Sequence, residues 1–207
     1  MENDRKFMMT NHFGKLITNA QPYIKDNLDK LDNWWVYGEP GTGKSSSVDF
    51  LYPKCYRKIK NNEKWDSYFS QREGHEVVYF DELDTFDSFD MCLGGIDGMK
   101  EKTDVYPFPI RQNYGSRQIM IRPKTLIITS NFTPSQLFSQ PNKYGRTIPN
   151  VEMVLRAFNR RFRVVHISQW LDLNGLVFDH QKKRIVDEEE YFSTIEEETS
   201  YMHENID

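Results

Sequence analysis

Cysteine is scarce in this sequence: 207 residues contain only Cys55 and Cys92, and the two make no metal-ligand spacing. Isolated thiols point to a reducing compartment and exclude a fold stapled by disulfides. No run of residues is long and apolar enough to span a bilayer. The opening Met1-Glu2-Asn3-Asp4-Arg5-Lys6 lacks the apolar stretch of a secretion signal. Together these absences predict a soluble intracellular protein with no membrane partner. Basic residues are missing from one place. From Asp187 to Asp207 there are nine acids and no Lys or Arg, which predicts a solvated, partly disordered acidic tail. Without that tail 22 acids face 27 bases, so an overall charge of -4 becomes a body of +5, mildly attractive to phosphates.

What remains is an ordinary globular composition, 38% hydrophobic and 28% charged, in a length that suits one generous domain. Phe13, Leu16, Ile17, Ala20, Ile24, Leu28 and Leu31 recur at helical spacing, so residues 1–32 read as a helical segment broken near Pro22. Apolar runs at 34–37, 77–80 and 126–129 read as buried strands, with helices over 45–51 and 151–159 and a final strand over 162–167. Two β-like pieces, 105–110 and 118–122, flank Asn113-Tyr114-Gly115-Ser116 and predict a hairpin. Strands alternating with helices predict an α/β fold, a sheet covered on both faces.

One motif is complete. Gly38-Glu39-Pro40-Gly41-Thr42-Gly43-Lys44-Ser45 fits G-x-x-x-x-G-K-[ST], follows an expected strand and opens an expected helix. Glycines let backbone N–H groups turn inward around phosphate oxygens, and the helix N-terminus adds partial positive charge. Lys44 is expected on the β and γ phosphates of ATP and Ser45 on Mg²⁺, with Ser46 as the next nucleotide-binding position. Thirty-seven residues after Lys44, the run Val77-Val78-Tyr79-Phe80 delivers Asp81 and Glu82 at a strand end, the edge where ligands bind in open α/β sheets. Asp81 suits Mg²⁺, and Glu82 suits orientation and deprotonation of an attacking water. Asn131, after Leu126-Ile127-Ile128-Thr129-Ser130, is expected beside Asp81, within reach of the γ phosphate. Asp84 and Asp87 read as solvated loop acids, and Trp65 and Tyr68 as packing residues.

The order of these pieces, with Lys64-Trp65-Asp66-Ser67-Tyr68, Tyr106-Pro107 and a basic hairpin, resembles the superfamily 3 helicase domain of replication-initiator (Rep) proteins of circular single-stranded DNA viruses, over roughly residues 33–170. The resemblance implies an AAA-like P-loop NTPase core over 33–172 with a small N-terminal helical oligomerisation segment over 1–32, and charge distribution leaves an acidic C-terminal tail over 173–207. It also implies a ring, a homo-oligomer that is hexameric in such families, around single-stranded DNA in rolling-circle replication, in the host nucleus for a viral member. ATP would lie between subunits, completed by an arginine from Arg160-Arg161. The hairpin would grip the strand through Arg111, Tyr114 and Arg117, in a stretch that also carries Arg122 and Lys124 and no acid. Three features depart from the family. No two of the histidines at 12, 75, 166, 180 and 203 flank a single residue, so a nicking endonuclease is not expected. Gly94, Gly95 and Gly98 fall where the family has a helix, and the acidic tail has no counterpart. Competing readings are an ATPase acting on RNA, a small-molecule kinase, and a module that binds ATP without hydrolysis. Against the kinase stand the Asp81-Glu82 pair, Asn131 and the distal arginine pair; against the inert module stand Lys44, Asp81 and Glu82.

Overall fold

The computed structural model describes residues 32–58, 64–65, 68, 75–111 and 119–204, the last eight by backbone alone. The expected helical segment before Asp32 therefore lies outside the described residues, as do Asp66, Ser67, Tyr114 and Arg117.

Five parallel strands make the main sheet: β1 (Trp34–Tyr37), β2 (Tyr56–Lys58), β3 (Val77–Phe80), β6 (Thr125–Ser130) and β7 (Arg163–His166), in the order β2-β3-β6-β1-β7. The sequence predicts α/β alternation, and this sheet is its realisation. The strand of the phosphate loop is not beside the strand of the acidic pair. β6 lies between them, with Trp35 opposite Ile128 and Phe80 opposite the same residue on the other side. All six residues of β6 are buried. Asn33 ties the centre together: its side chain donates to Arg161 O and accepts from Leu126 N, while its carbonyl accepts from Arg163 N.

Helices close the sheet: α1 (Lys44–Leu51), α2 (Phe86–Leu93), α3 (Gly95–Lys102), α4 (Pro134–Ser139), α5 (Val151–Asn159) and α6 (Ile167–Leu173). On one face Trp35, Phe80, Phe89, Phe138 and Phe158 form a core, with Phe158 and Phe162 stacked at 4.4 Å between centroids. On the other, Val36, Val48, Tyr79, Ile127 and Trp170 form a second. Trp65 and Tyr68 are buried and pack around Tyr56, as the sequence predicts. The glycine segment 94–98 is a break between helices. Gly94, at φ 80, ends α2 and starts α3, and a Cβ on Gly98 would meet Leu93 O at 2.2 Å. Only a residue without a side chain lets the helices meet so closely.

The antiparallel pair β4 (Phe108–Ile110) and β5 (Ile119–Ile121) supplies the expected hairpin flanks. The chain does not finish its sheet structure at β7. A second hairpin, β8 (Leu176–Asp179) and β9 (Arg184–Asp187), follows α6, and α7 (Glu188–Glu204) follows the hairpin. Composition alone reads this region as a partly disordered tail; it is a helix from its first glutamates. Three acids in the first turn face the positive end of the helix dipole, which favours helix there despite mutual repulsion. Among the described residues no helix is long and apolar enough to cross a membrane.

Candidate nucleotide site

The site forms where β1, β3 and β6 end. After β1 the chain turns through Gly38–Gly43 and enters α1. Thr42 Oγ1 donates to Glu39 O over 2.7 Å and fixes the loop's curvature. Gly43 sits at φ 86 and is the N-cap of α1, which has no side-chain cap. By contrast α2, α4 and α5 are capped by Thr85, Thr133 and Asn150. A helix start with no side-chain cap keeps its N–H groups available to an external anion, and a phosphate is the natural partner. Ser47 and Trp170 anchor the base of α1, through Trp170 Nε1 donating to Ser47 Oγ at 3.0 Å.

Lys44 is buried, and its ammonium donates to Gly38 O, Glu39 O and Asn131 Oδ1 at 2.7, 2.7 and 3.0 Å. Burial holds its pKa below the usual lysine value, against the opposing pull of Asp84, then Glu82, Glu39 and Asp81. Ser45 Oγ donates to Asp81 Oδ1 over 2.8 Å. The same oxygen accepts from Tyr79 and Thr129 hydroxyls at 2.6 and 3.0 Å, while Arg57 lies 3.6 Å from Asp81 Oδ2. Burial alone would raise the Asp81 pKa; the three hydroxyl donors and Arg57 outweigh it and hold the carboxyl below the usual range. Burial and the bond to Asp81 push the Tyr79 phenol far up.

Glu82 carries φ 48, unusual for a residue with a side chain, and its N–H donates to Thr129 Oγ1 at 3.0 Å. Such backbone strain costs about 1–3 kcal/mol and clusters at working sites. Glu82 is exposed and lines a cavity of about 500 Å³ with Gly41, Gly43, Lys44, Ser45 and Asn131. Asn131 stands between Lys44 and Asp84, and not against Asp81 as its place at the strand end suggests. Its Nδ2 and backbone N–H donate to Asp84 at 2.6 and 2.7 Å. Asp84 is thus a positioning residue and not the solvated loop acid that its sequence context suggests. Asp87 likewise accepts from Lys143 N at 2.9 Å. Nothing short of the fold shows these pairings, because their partners are 47 and 56 residues away.

Mg²⁺ fits the donor set: a hydroxyl and a carboxylate in contact at the mouth of the phosphate loop are hard oxygen ligands. Among the described residues no cluster of three or more His, Cys, Asp or Glu makes a protein cage. Two oxygen ligands with the rest supplied by phosphates and water is the usual way Mg²⁺ is held.

The remaining expected residues divide. Arg160 follows α5 and is exposed. Arg161 is turned inward, its side chain 12% exposed, donating to Ala157 O at 2.9 Å and paired with Asp104 at 3.4 Å. Arg111 is exposed at the end of β4, the only one of the three expected strand-gripping residues that is described. Arg122 is 4% exposed and donates to Pro123 O; burial lowers its pKa to about 10 against the pull of Asp104. It cannot join an exposed gripping surface, although its place in a basic hairpin suggests one. Lys124 stays exposed, 3.9 Å from Glu76.

No curated protein matches this sequence. A crystal structure of JCV helicase with a bound small molecule is similar at 13% identity and a TM-score of 0.40, over 66% of this chain and 36% of that one. This chain therefore spans about a third of the length of that protein. Residues 34–132 match the model of the RNA helicase family, a stretch that holds Lys44, Ser45, Asp81, Glu82, Asp84 and Asn131.

Proposed function

We propose that the chain hydrolyses ATP to drive a helicase acting on single-stranded DNA, as part of a viral replication-associated protein. One observation carries the reading: two hydrogen-bonded groups, Lys44–Asn131–Asp84 and Ser45–Asp81, start from adjacent residues of the phosphate loop at the C-terminal edge of the sheet. In this reading the loop from Gly38 to Gly43 and the start of α1, with Ser45 and Ser46, receive the phosphates. Lys44 exchanges its carbonyl partners for β and γ oxygens. Ser45 and Asp81 hold Mg²⁺, which when bound supplies positive charge against the phosphates. Glu82 orients a water and takes its proton as the oxygen attacks the γ phosphorus, and ADP leaves. Asn131 fixes the γ phosphate or that water. An arginine from a neighbouring subunit completes the pocket, so the working form is a homo-oligomeric ring, a hexamer by family resemblance.

A second reading takes RNA as the strand, favoured by the RNA helicase family match over residues 34–132. ATP turnover measured with single-stranded DNA and with single-stranded RNA separates the two, the preferred strand giving the greater stimulation. Glu82→Gln tests the chemistry common to both. It should bind ATP normally and lose about 10²–10⁴ in turnover. A wild-type rate in that variant would remove Glu82 as the base.

A further inference from the structure

The same cavity has a wall that comes from far along the chain. Phe178 and His180, at the end of β8, line it, as does Lys183 in the turn before β9. Phe178 is packed directly against the phosphate loop: a Cβ on Gly43 would lie 2.6 Å from Phe178 Cδ2. The two rings meet edge to face, 4.9 Å between centroids at 83°. The hairpin carrying them is firmly built. Asp179 accepts from Gln181 N and Lys182 N at 2.9 and 3.0 Å, and β8 and β9 pair over four residues. Lys183 turns the corner at φ 49. Phe178 is only partly buried and His180 is exposed, so both keep surface to offer a ligand.

The phosphate half of the cavity is supplied by the loop and α1. Phe178, beside Gly43, has neither charge nor a hydrogen-bonding group to offer a phosphate, and His180 stands edge to face against it. The two rings suit a flat, weakly polar group, and the group attached to the phosphates of a nucleotide is a nucleoside. We propose that the β8–β9 hairpin is the nucleoside wall of the site: Phe178 and His180 take the base and ribose, and Lys183 stands at the pocket margin beside the phosphates. The inference rests on the phosphate-cradle reading above and assigns ligand contacts to a segment whose sequence suggests only the start of a solvated tail. Stacking on either ring is tolerant of base identity, since every base has a π face. The wall therefore favours nucleoside triphosphates over inorganic polyphosphate without choosing strongly among bases.

Calorimetric binding of Mg-ATP and of Mg-tripolyphosphate to the full chain tests this. Phe178→Leu keeps apolar bulk against Gly43 and removes the π face; His180→Ala removes an exposed ring with no packing to lose in the core. Each should weaken ATP binding about tenfold, the fold-change of losing one aromatic platform, and leave tripolyphosphate affinity unchanged. Equal losses for both ligands, or unchanged ATP affinity in both variants, would overturn the wall. A separate arm protects the premise. Lys44→Ala should weaken both ligands, and unchanged tripolyphosphate binding there would sink the cradle reading itself, whatever the hairpin variants do.

Discussion

Asp84 holds Asn131 at two points, its Oδ1 accepting the backbone N–H at 2.7 Å and its Oδ2 the side-chain amide at 2.6 Å. With Nδ2 committed to Asp84, the amide oxygen is aimed at Lys44, 3.0 Å away. An amide has two distinct ends, and fixing one decides what the other can do. Asp84→Ala frees the amide to rotate and removes the leading negative charge acting on Lys44. Loss of a partner that orients a working group costs about 10–100-fold in activity. Turnover should fall by that order while ATP affinity changes little, and Asp84→Asn, which keeps an acceptor oxygen, should recover part of the rate. A wild-type kcat in Asp84→Ala would show that Asn131 needs no such hold.

Tyr79 offers a test through pH. Its hydroxyl is one of three donors that keep the Asp81 pKa depressed against burial and, with Arg57, favour the charged carboxylate. A group with a depressed folded-state pKa stabilises the fold above its unfolded value, near 3.9 for aspartate, and that contribution is lost as pH falls through the folded value. Tyr79→Phe removes the donor. It should lower unfolding stability at pH 7 by about 1.5–3 kcal/mol, the range for a hydrogen bond to a charged group. The gap from wild type should shrink in acid, once Asp81 is protonated in both. Urea unfolding followed from pH 7 down through the acid range measures it, and a gap independent of pH would locate the effect in packing alone.

How much of this was legible in the sequence follows from what each signal depends on. The phosphate loop is legible because its chemistry is local: Gly43, Lys44 and Ser45 act through consecutive backbone atoms. Asp81 and Glu82 are legible because an apolar strand ends on them. That β6 lies between β1 and β3, and so brings Asn131 to Lys44, is a matter of strand order, which no local pattern encodes. Asp84 looks like any loop acid until the strands are assembled. Arg122 shows the opposite failure. Its basic neighbourhood suggests an exposed grip, yet the residue follows Ile121 into the core beneath Pro123. Phe178 and His180 were hidden by the acids after them, which give the whole end of the chain the look of a tail.

Arg111 and Arg122 should separate in strand binding. Arg111 is exposed at the hairpin shoulder, while Arg122 is buried. Each phosphate contact removed flattens the log–log salt dependence of single-strand binding by about 0.7. Arg111→Ala should show that change with basal ATP hydrolysis intact. Arg122→Ala should leave the salt slope alone and lower stability instead, by about 2 kcal/mol or more, as large-to-small changes in a core do. Fluorescence anisotropy across a salt series, with thermal unfolding of both variants, is the measurement. A flattened slope in Arg122→Ala would mean that the hairpin opens to bind.

Arg160 and Arg161 should likewise act differently, and the difference bears on assembly. Arg161 is turned in against Asp104 and the end of α5, so Arg161→Ala should chiefly destabilise the subunit. Arg160 is exposed, and in the proposed ring it is the arginine that would reach the ATP of an adjacent subunit, a contact worth about 10³–10⁵ in rate. Arg160→Ala should therefore fold normally, bind ATP and turn over almost none. A Lys44→Ala subunit has a dead pocket and an intact finger; an Arg160→Ala subunit has the reverse. Mixed under exchanging conditions, they form interfaces in which one sound pocket faces one sound finger, and ATP hydrolysis should partly return. A finger working within its own subunit gives no recovery at any mixing ratio. Mass measurement of the mixture shows whether the two variants co-assemble, and absence of recovery in a confirmed co-assembly would exclude Arg160 as a residue acting between subunits.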